Sequence, residues 1–61
     1  MMNAKRAQEI ANSPVMADVT YNGERIYIQE VDEQNNTATI YALENPNKRQ
    51  TVSVESLVEN S

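Results

Sequence analysis

Residues 19–29 consist of two alternating, strand-like runs that meet at an Asn-Gly pair, Val19-Thr20-Tyr21-Asn22-Gly23-Glu24-Arg25-Ile26-Tyr27-Ile28-Gln29. A type I′ hairpin turn needs a positive φ at both central residues, and Asn-Gly adopts that conformation at low steric cost. We therefore predict a two-residue β-hairpin centred on Asn22-Gly23. Its register places Tyr21 opposite Glu24 and Val19 opposite Ile26.

A helix is predicted upstream of the hairpin. Asn3 is suited to cap its N-terminus, an alanine-rich stripe follows at helical spacing, and Ser13-Pro14 ends it, so the helix should cover residues 3–12. A helix this short is marginal alone, so it must dock on a sheet or on another copy of itself. After Pro14 the apolar pattern becomes an alternation of period two, which predicts a first strand over residues 15–22.

The hairpin register divides the predicted sheet into two faces. One face is apolar and should form the core; its residues are Val19, Tyr21, Ile26 and Ile28. The opposite face is polar but retains Met16 and Tyr27. We therefore expect the N-terminal helix to cover part of that polar face.

Downstream of the hairpin, strand-like runs alternate with polar turns. The second strand should cover residues 24–31, and residues 37–43 form a third strand rich in β-branched and aromatic residues. A polar loop precedes a short strand over residues 51–54, and residues 55–58 resemble a single helical turn before a frayed end. This order predicts one α+β domain over residues 1–61, a short helix followed by an SH3-like partial barrel of about four antiparallel strands.

Length and composition restrict the class of protein. The chain has 61 residues, no Cys and no His, so neither disulfides nor the usual zinc ligands can stabilise it. No apolar run approaches the roughly 20 residues that span a bilayer, and there is no signal-peptide pattern, so we expect a cytoplasmic protein without membrane contact. The formal net charge of −4 disfavours nonspecific attraction to nucleic acid.

No group of side chains in the sequence indicates catalysis. The remaining candidates are carboxylates, lysines, tyrosines and hydroxyls, and none has a recognisable catalytic spacing. Asp32 and Glu33 lie in a turn rich in oxygen donors, but the spacing of an EF-hand is absent. Gly23 stands alone and cannot cradle a phosphate. The sequence predicts no enzyme, no cofactor and no metal ion.

Nucleic-acid binding is an alternative that the residues leave open. Basic side chains accompany tyrosines that can stack on bases, and the contacts on this hypothesis are Arg25, Tyr27, Lys48 and Arg49. Nine acidic residues weigh against it. If these four side chains form one contiguous exposed patch, binding is favoured. If they are dispersed among acidic side chains, a structural role is favoured.

Self-association into a homodimer is a separate hypothesis. The large apolar residues suffice for one thin core only, which leaves a domain of this size marginally stable. The alanine face of the helix and the edge strands of the sheet are the surfaces that another copy of the chain could cover.

Segments distributed along the whole chain form a recognisable pattern. They are Met2-Asn3-Ala4-Lys5-Arg6-Ala7-Gln8-Glu9-Ile10, Ser13-Pro14-Val15-Met16, Val19-Thr20-Tyr21-Asn22-Gly23, Ile26-Tyr27-Ile28-Gln29, Val31-Asp32-Glu33, Ile40-Tyr41 and Val52-Ser53-Val54-Glu55-Ser56-Leu57-Val58-Glu59. This pattern resembles the H-type small acid-soluble spore proteins of endospore-forming Firmicutes. The sequence departs from it at Glu24-Arg25, where Val-Pro is common, at Glu30, where His is frequent, and at Ala42, where Pro is frequent.

The resemblance implies a protein made in the forespore and held in the core of the dormant spore. It implies a structural, storage or protective role rather than an enzyme, and it supplies no catalytic or DNA-contacting residues. The DNA-coating α/β-type spore proteins share the family title and not this pattern, so DNA coating is not implied. The alternative remains a spore protein that binds nucleic acid through the four residues named above.

Overall fold

Helix α1, Ala4–Asn12, opens the structure, which is a computed structural model that describes residues 2–14 and 17–60. The side chain of Asn3 accepts a hydrogen bond from the backbone N–H of Arg6 at 2.8 Å, so Asn3 is the N-cap that the sequence predicts. At the other end, the N–H of Ser13 donates to the carbonyl of Ile10 just before Pro14 stops the helix. Both ends of α1 are therefore set by residues next to them in the sequence, Asn3 at the start and Ser13-Pro14 at the end.

The rest of the described chain folds into five antiparallel strands. They are β1, Asp18–Tyr21; β2, Glu24–Asp32; β3, Thr37–Ala42; β4, Asn45–Ser53; and β5, Leu57–Asn60. A 3₁₀ turn, Val54–Ser56, precedes β5. The spatial order is β4-β3-β2-β1-β5, so the last strand returns to pair with the first. This is the α+β arrangement that the sequence predicts, a meander whose final strand extends the sheet on the far side of β1.

The hairpin between β1 and β2 has the predicted geometry. Asn22 and Gly23 have φ values of 51° and 81°, as a type I′ turn requires. The ladder pairs Val19 with Ile26 and Tyr21 with Glu24. The register derived from the Asn-Gly signal is therefore confirmed.

The core lies between α1 and one face of the sheet. Its buried residues come from every strand as well as from the helix; they are Met2, Ala7, Val19, Ile26, Ile28, Ala38, Ile40, Val52, Val54 and Leu57. The predicted core face is therefore present in the structure. Tyr21 lies at its margin, half-buried against the cluster.

The expectation that α1 covers the polar face of the hairpin was wrong. Ala7 is fully buried in the same cluster as Ile28 and Ile40, so the helix lies on the core face. The reason is that an alanine-rich stripe stabilises the fold only where its docking removes apolar surface from water. Of the residues assigned to the polar face, Met16 lies outside the described residues, as does Val15 of the predicted first strand.

Both edges of the sheet differ from the prediction. Strand β4 begins at Asn45 rather than at residue 51. The prediction missed residues 45–50 because an edge strand that is exposed on both faces needs no alternation of apolar residues. The single helical turn predicted over residues 55–58 is present one residue earlier as the 3₁₀ turn Val54–Ser56, and residues 57 and 58 belong to β5. Glu59 and Asn60, expected to fray, pair with β1. The other described strand boundaries agree with the prediction within three residues.

Candidate functional site

The sheet face that points away from α1, here called the outer face, carries most of the predicted nucleic-acid contacts. Along β2, Ile26 and Ile28 point into the core, so the alternating residues Arg25 and Tyr27 point outward. Tyr27 lies opposite Tyr41 of β3, and Tyr41 lies opposite Arg49 of β4. Tyr27, Tyr41 and Arg49 thus form one row across three strands, which we call the tyrosine row.

The tyrosine row is held by a ring contact and a hydrogen bond. The two tyrosine rings have centroids 5.3 Å apart and planes inclined at 41°, a favourable arrangement for an aromatic pair. The Nη1 atom of Arg49 donates to Oε1 of Gln29 at 3.3 Å. Gln29 is an extra residue at a bulge in β2, since Ile28 and Glu30 pair with consecutive residues of β3. The bulge therefore supplies the side chain that orients Arg49.

The other two predicted contacts are bound to carboxylates. Arg25 shares the outer face, but its Nε atom lies 3.5 Å from Oδ1 of Asp18. Lys48 lies outside the tyrosine row, with its Nζ atom 3.6 Å from Oε1 of Glu24. A register shift next to Tyr41 takes Lys48 out of the ladder that positions Arg49.

The four predicted residues do not form one contiguous patch. The structure brings Arg25, Tyr27 and Arg49 together on the outer face and separates Lys48 from them. Tyr41 was missing from the predicted set, although strand alternation and the pairing of β2 with β3 could have placed it there. Within residues 2–14 and 17–60, Arg49 is the member of the set that has an exposed guanidinium and no carboxylate partner. Nucleic-acid contact by these residues stays a prediction.

A second polar cluster joins α1 to β5. The guanidinium of Arg6 forms two parallel hydrogen bonds to the carboxylate of Glu59, Nε to Oε1 at 2.9 Å and Nη2 to Oε2 at 2.6 Å. Its Nη1 atom donates to Oε1 of Glu9 at 3.1 Å. The two hydrogen bonds to Glu59, followed by the single one to Glu9, raise the pKa of Arg6. In turn, hydrogen bonding from Arg6 lowers the pKa of Glu59. We call this cluster the Arg6 clamp.

The Arg6 clamp borders a groove of about 330 Å³ whose lining includes Met2, Asn3 and Leu57. The polar groups at its edge already have partners: Asn3 caps the helix, and Arg6 binds two carboxylates. Sequence reasoning missed the pairing of Arg6 with Glu59, because Glu59 lies 53 positions away in a strand that was not predicted.

The acidic turn between β2 and β3 has a structural use. Oδ1 of Asp32 accepts hydrogen bonds from the N–H groups of Gln34 and Asn35, and Oδ2 accepts one from Nδ2 of Asn35 at 2.7 Å. The side-chain bond from Asn35 is the main reason that the pKa of Asp32 is lowered. Asp32 therefore closes its own turn.

Two broader properties of the described residues bear on function. Within residues 2–14 and 17–60, no three acidic side chains come together in a way that could hold a metal ion. Over the same part of the chain, no helix has the length and apolar character needed to cross a membrane.

Comparison with known proteins identifies relatives along nearly the whole chain. The Small acid-soluble spore protein H family matches residues 2–59. The chain is 63% identical over 60 residues to Small, acid-soluble spore protein H 1 of Geobacillus kaustophilus. That alignment covers 98% of this chain and 100% of the relative. It is 51% identical over 59 residues to Small, acid-soluble spore protein H of Bacillus subtilis. That alignment covers 97% of this chain and 100% of the relative. No solved structure matches the chain.

These matches bear on two predictions from the sequence. The family and both relatives are named as small acid-soluble spore proteins and not as enzymes, in agreement with the prediction of a non-enzymatic protein. The resemblance seen in the sequence is confirmed on the same basis. With a family match over residues 2–59 and relatives aligned over their full lengths, this chain is a spore protein of the small acid-soluble spore protein H family.

Proposed function

We propose that the protein is a structural and protective component of the dormant spore core, made in the forespore, that also serves as a reserve of amino acids. The observation that carries the proposal is the internal pairing of its cations. Three of the five basic side chains, Arg6, Arg25 and Lys48, are bound to the protein's own carboxylates. The surface that remains is acidic and mixed in sign, which favours packing beside other molecules over capture of a polyanion.

Burial of the apolar side chains supports the same proposal. Among the described residues, Val58 is the large apolar side chain that is exposed, at 53% of its surface. Monomeric proteins that stay dispersed at high concentration avoid contiguous apolar patches. A small domain with this surface can accumulate without aggregating.

Deletion of the gene in a sporulating host tests this proposal. Acid extracts of purified wild-type spores should contain the protein, and spores of the deletion strain should show lower resistance or altered germination. A protective role would appear as faster killing by heat or radiation. A reserve role would appear as disappearance of the protein during germination and slower outgrowth in medium without amino acids. Complete absence of the protein from purified spores would overturn the proposal.

The tyrosine row favours a second candidate, a spore protein that associates with single-stranded nucleic acid. Stacked aromatic rings beside an arginine form a platform on which unpaired bases can stack. Arg49 has no carboxylate partner among the described residues, so its charge is available to a phosphate. Asp18, which binds Arg25, and the net charge of −4 oppose this candidate.

A titration of labelled single-stranded and double-stranded oligonucleotides, followed by fluorescence anisotropy at low salt, distinguishes the two candidates. If the tyrosine row binds nucleic acid, Arg49→Gln should weaken binding to the single strand. The slope of log K against log salt concentration should fall in magnitude by the amount expected for roughly one phosphate contact. Lys48→Gln removes the same charge outside the row and should have little effect. If wild-type protein binds neither oligonucleotide at low salt, the nucleic-acid candidate is excluded and the structural proposal stands.

We further propose that the chain self-associates through the edges of its sheet. Strands β4 and β5 each have one side without a partner strand, and such edges are templates for pairing with another copy. The alanine face of α1 is buried against the sheet, so the edges are the better supported surface of the two considered from the sequence. Light scattering should give a dimer at concentrations on the order of tens of micromolar. A monomer mass under those conditions would contradict the proposal.

A further inference from the structure

The Asn22-Gly23 turn positions no side chain for the proposed function, yet it is the most reactive backbone sequence in the hairpin. We propose that Asn22 is a site of spontaneous deamidation, that the type I′ turn holds the reaction back, and that opening of the hairpin sets its rate. The inference does not depend on the role proposed above. Both turn residues are exposed, and a Cβ built on Gly23 would meet no atom within 4 Å. Water and base therefore reach the Gly23 amide freely.

The reaction needs only the chain itself and water. The backbone nitrogen of Gly23 loses its proton to solvent base and attacks Cγ of Asn22; the new N–Cγ bond closes a succinimide ring, and the Cγ–Nδ2 bond breaks to release ammonia, which takes its proton from water. Water then adds to one of the two ring carbonyls and reopens the ring to an aspartyl or an isoaspartyl residue at position 22. Glycine offers the least hindrance to ring closure because it has no side chain.

The folded turn opposes ring closure by its backbone geometry. Closure requires the Gly23 nitrogen to lie on the same side of the Asn22 Cα–C bond as the side chain. A type I′ turn has a ψ of about +30° at its first central residue, which directs that nitrogen away from the side chain. The observed φ values of 51° and 81° place both residues in this turn, and the pairing of Tyr21 with Glu24 closes it. Opening of the hairpin must therefore precede the chemistry.

The isoaspartyl product would alter the fold well beyond the turn. It inserts an extra carbon into the backbone, so a two-residue loop can no longer join Tyr21 and Glu24 in register. Strand β1 has four residues and lies between β2 and β5, so its loss of register affects both neighbours. The new carboxylate at position 22 also lies two residues from Glu24, whose partner Lys48 is 3.6 Å away. The aspartyl product would keep the turn, because Asp-Gly also favours type I′ geometry.

Peptide mapping tests the proposal on the intact protein. Folded protein and protein unfolded in urea are incubated in mildly alkaline buffer, digested with trypsin, and the peptide spanning residues 7–25 is fragmented in the mass spectrometer to separate Asn22 from Asn12. We expect Asn22 to be the first asparagine modified in the unfolded chain and to react slower by about tenfold or more in the folded chain, because local opening must come first. Equal rates in the two states, or earlier modification of another asparagine in the unfolded chain, would overturn it.

Two variants separate the chemistry from the opening step. Gly23→Ala should slow deamidation in the unfolded chain, where its effect on the turn is irrelevant. Ile26→Ala, which removes a buried contact of the hairpin, should accelerate deamidation in the folded state and leave the unfolded rate unchanged. An unchanged folded rate in Ile26→Ala would show that hairpin opening does not set the rate.

The two products provide a final check on the effect of deamidation on stability. Purified isoaspartyl protein should unfold at a lower urea concentration than wild type, whereas Asn22→Asp should unfold near the wild-type midpoint. An isoaspartyl form with the wild-type midpoint would refute the effect on register.

Discussion

At Gly23, backbone conformation decides which residue is tolerated. The position has a φ of 81°, a region that residues with a Cβ rarely adopt, although the space around it is open. Asn22 adopts the left-handed region as well, where Asn is among the residues that do so at least cost. Substitutions in the turn should therefore be judged by φ rather than by packing.

Replacement of Gly23 by alanine should lower the free energy of unfolding by about 1–2 kcal/mol, since an L-residue in the left-handed region costs that much. Asn22→Asp is the matched control and should change it by no more than about 0.5 kcal/mol, because Asp-Gly fits the same turn. Equilibrium unfolding in urea measures both. A Gly23→Ala protein with the wild-type midpoint would mean that the turn tolerates a side chain at this φ.

At the scale of the element, β5 shows how a short polar strand is fixed by one buried residue. Leu57 is fully buried and pairs with Tyr21, whereas its neighbour Val58 points to the outer face and is 53% exposed. Successive residues of a strand face opposite sides, so the two apolar side chains make unequal contributions. The strand attaches to the core through Leu57 and to α1 through the Arg6 clamp.

Leu57→Ala should destabilise the protein by about 2–5 kcal/mol, the range for truncating a large buried aliphatic side chain. For a domain this small, that loss is a large part of the total stability. Val58→Ala removes an exposed side chain on the same strand and should stay within about 0.5 kcal/mol of wild type. Thermal unfolding of the two variants compares them directly; equal losses would contradict the position of β5 in the sheet.

The contrast between α1, the hairpin and the two edge strands shows what the sequence can predict. Local signals act on their immediate neighbours, so their effects can be predicted from the sequence; they are Asn3, Ser13-Pro14 and Asn22-Gly23. Residues 45–50 bury nothing on either face, so no periodicity marks them as a strand. Strand β5 forms because β1 offers it a partner about forty residues away, which no local pattern contains.

The candidate site follows the same division. Alternation along β2 correctly places Arg25 and Tyr27 on one face, since Ile26 and Ile28 are buried. The neighbours of Arg49 depend on two register shifts, one next to Gln29 and one next to Tyr41. Bulges leave little trace in a single sequence, so the place of Arg49 beside Tyr41 and the separation of Lys48 could not be predicted.

At the scale of the whole molecule, carboxylates connect stability to pH. Asn35 lowers the pKa of Asp32, and Arg6 lowers the pKa of Glu59. Because the folded-state pKa lies below the unfolded value, each carboxylate contributes stability that is fully present above the unfolded pKa. That contribution is lost as the pH falls through the folded-state pKa.

The urea midpoint should therefore be higher at about pH 7 than at about pH 3. Asp32→Asn and Glu59→Gln should each be less stable than wild type at the higher pH and should approach wild type at the lower one. Glu33→Gln, in the turn that Asp32 closes, is the control, because within the described residues Glu33 accepts none of the hydrogen bonds of that turn. A wild-type midpoint that does not change over this range would contradict the expected linkage.

The return of β5 to β1 has a consequence for folding kinetics. The Asn22-Gly23 hairpin closes a two-residue loop and can form within microseconds, whereas the Arg6 clamp joins residues 53 positions apart. Val19 and Ile40 share the core with Leu57, so their burial is complete only after β5 has docked on β1. We therefore expect docking of β5 on β1 to be the last step of folding, and chaperones have access to the core until then.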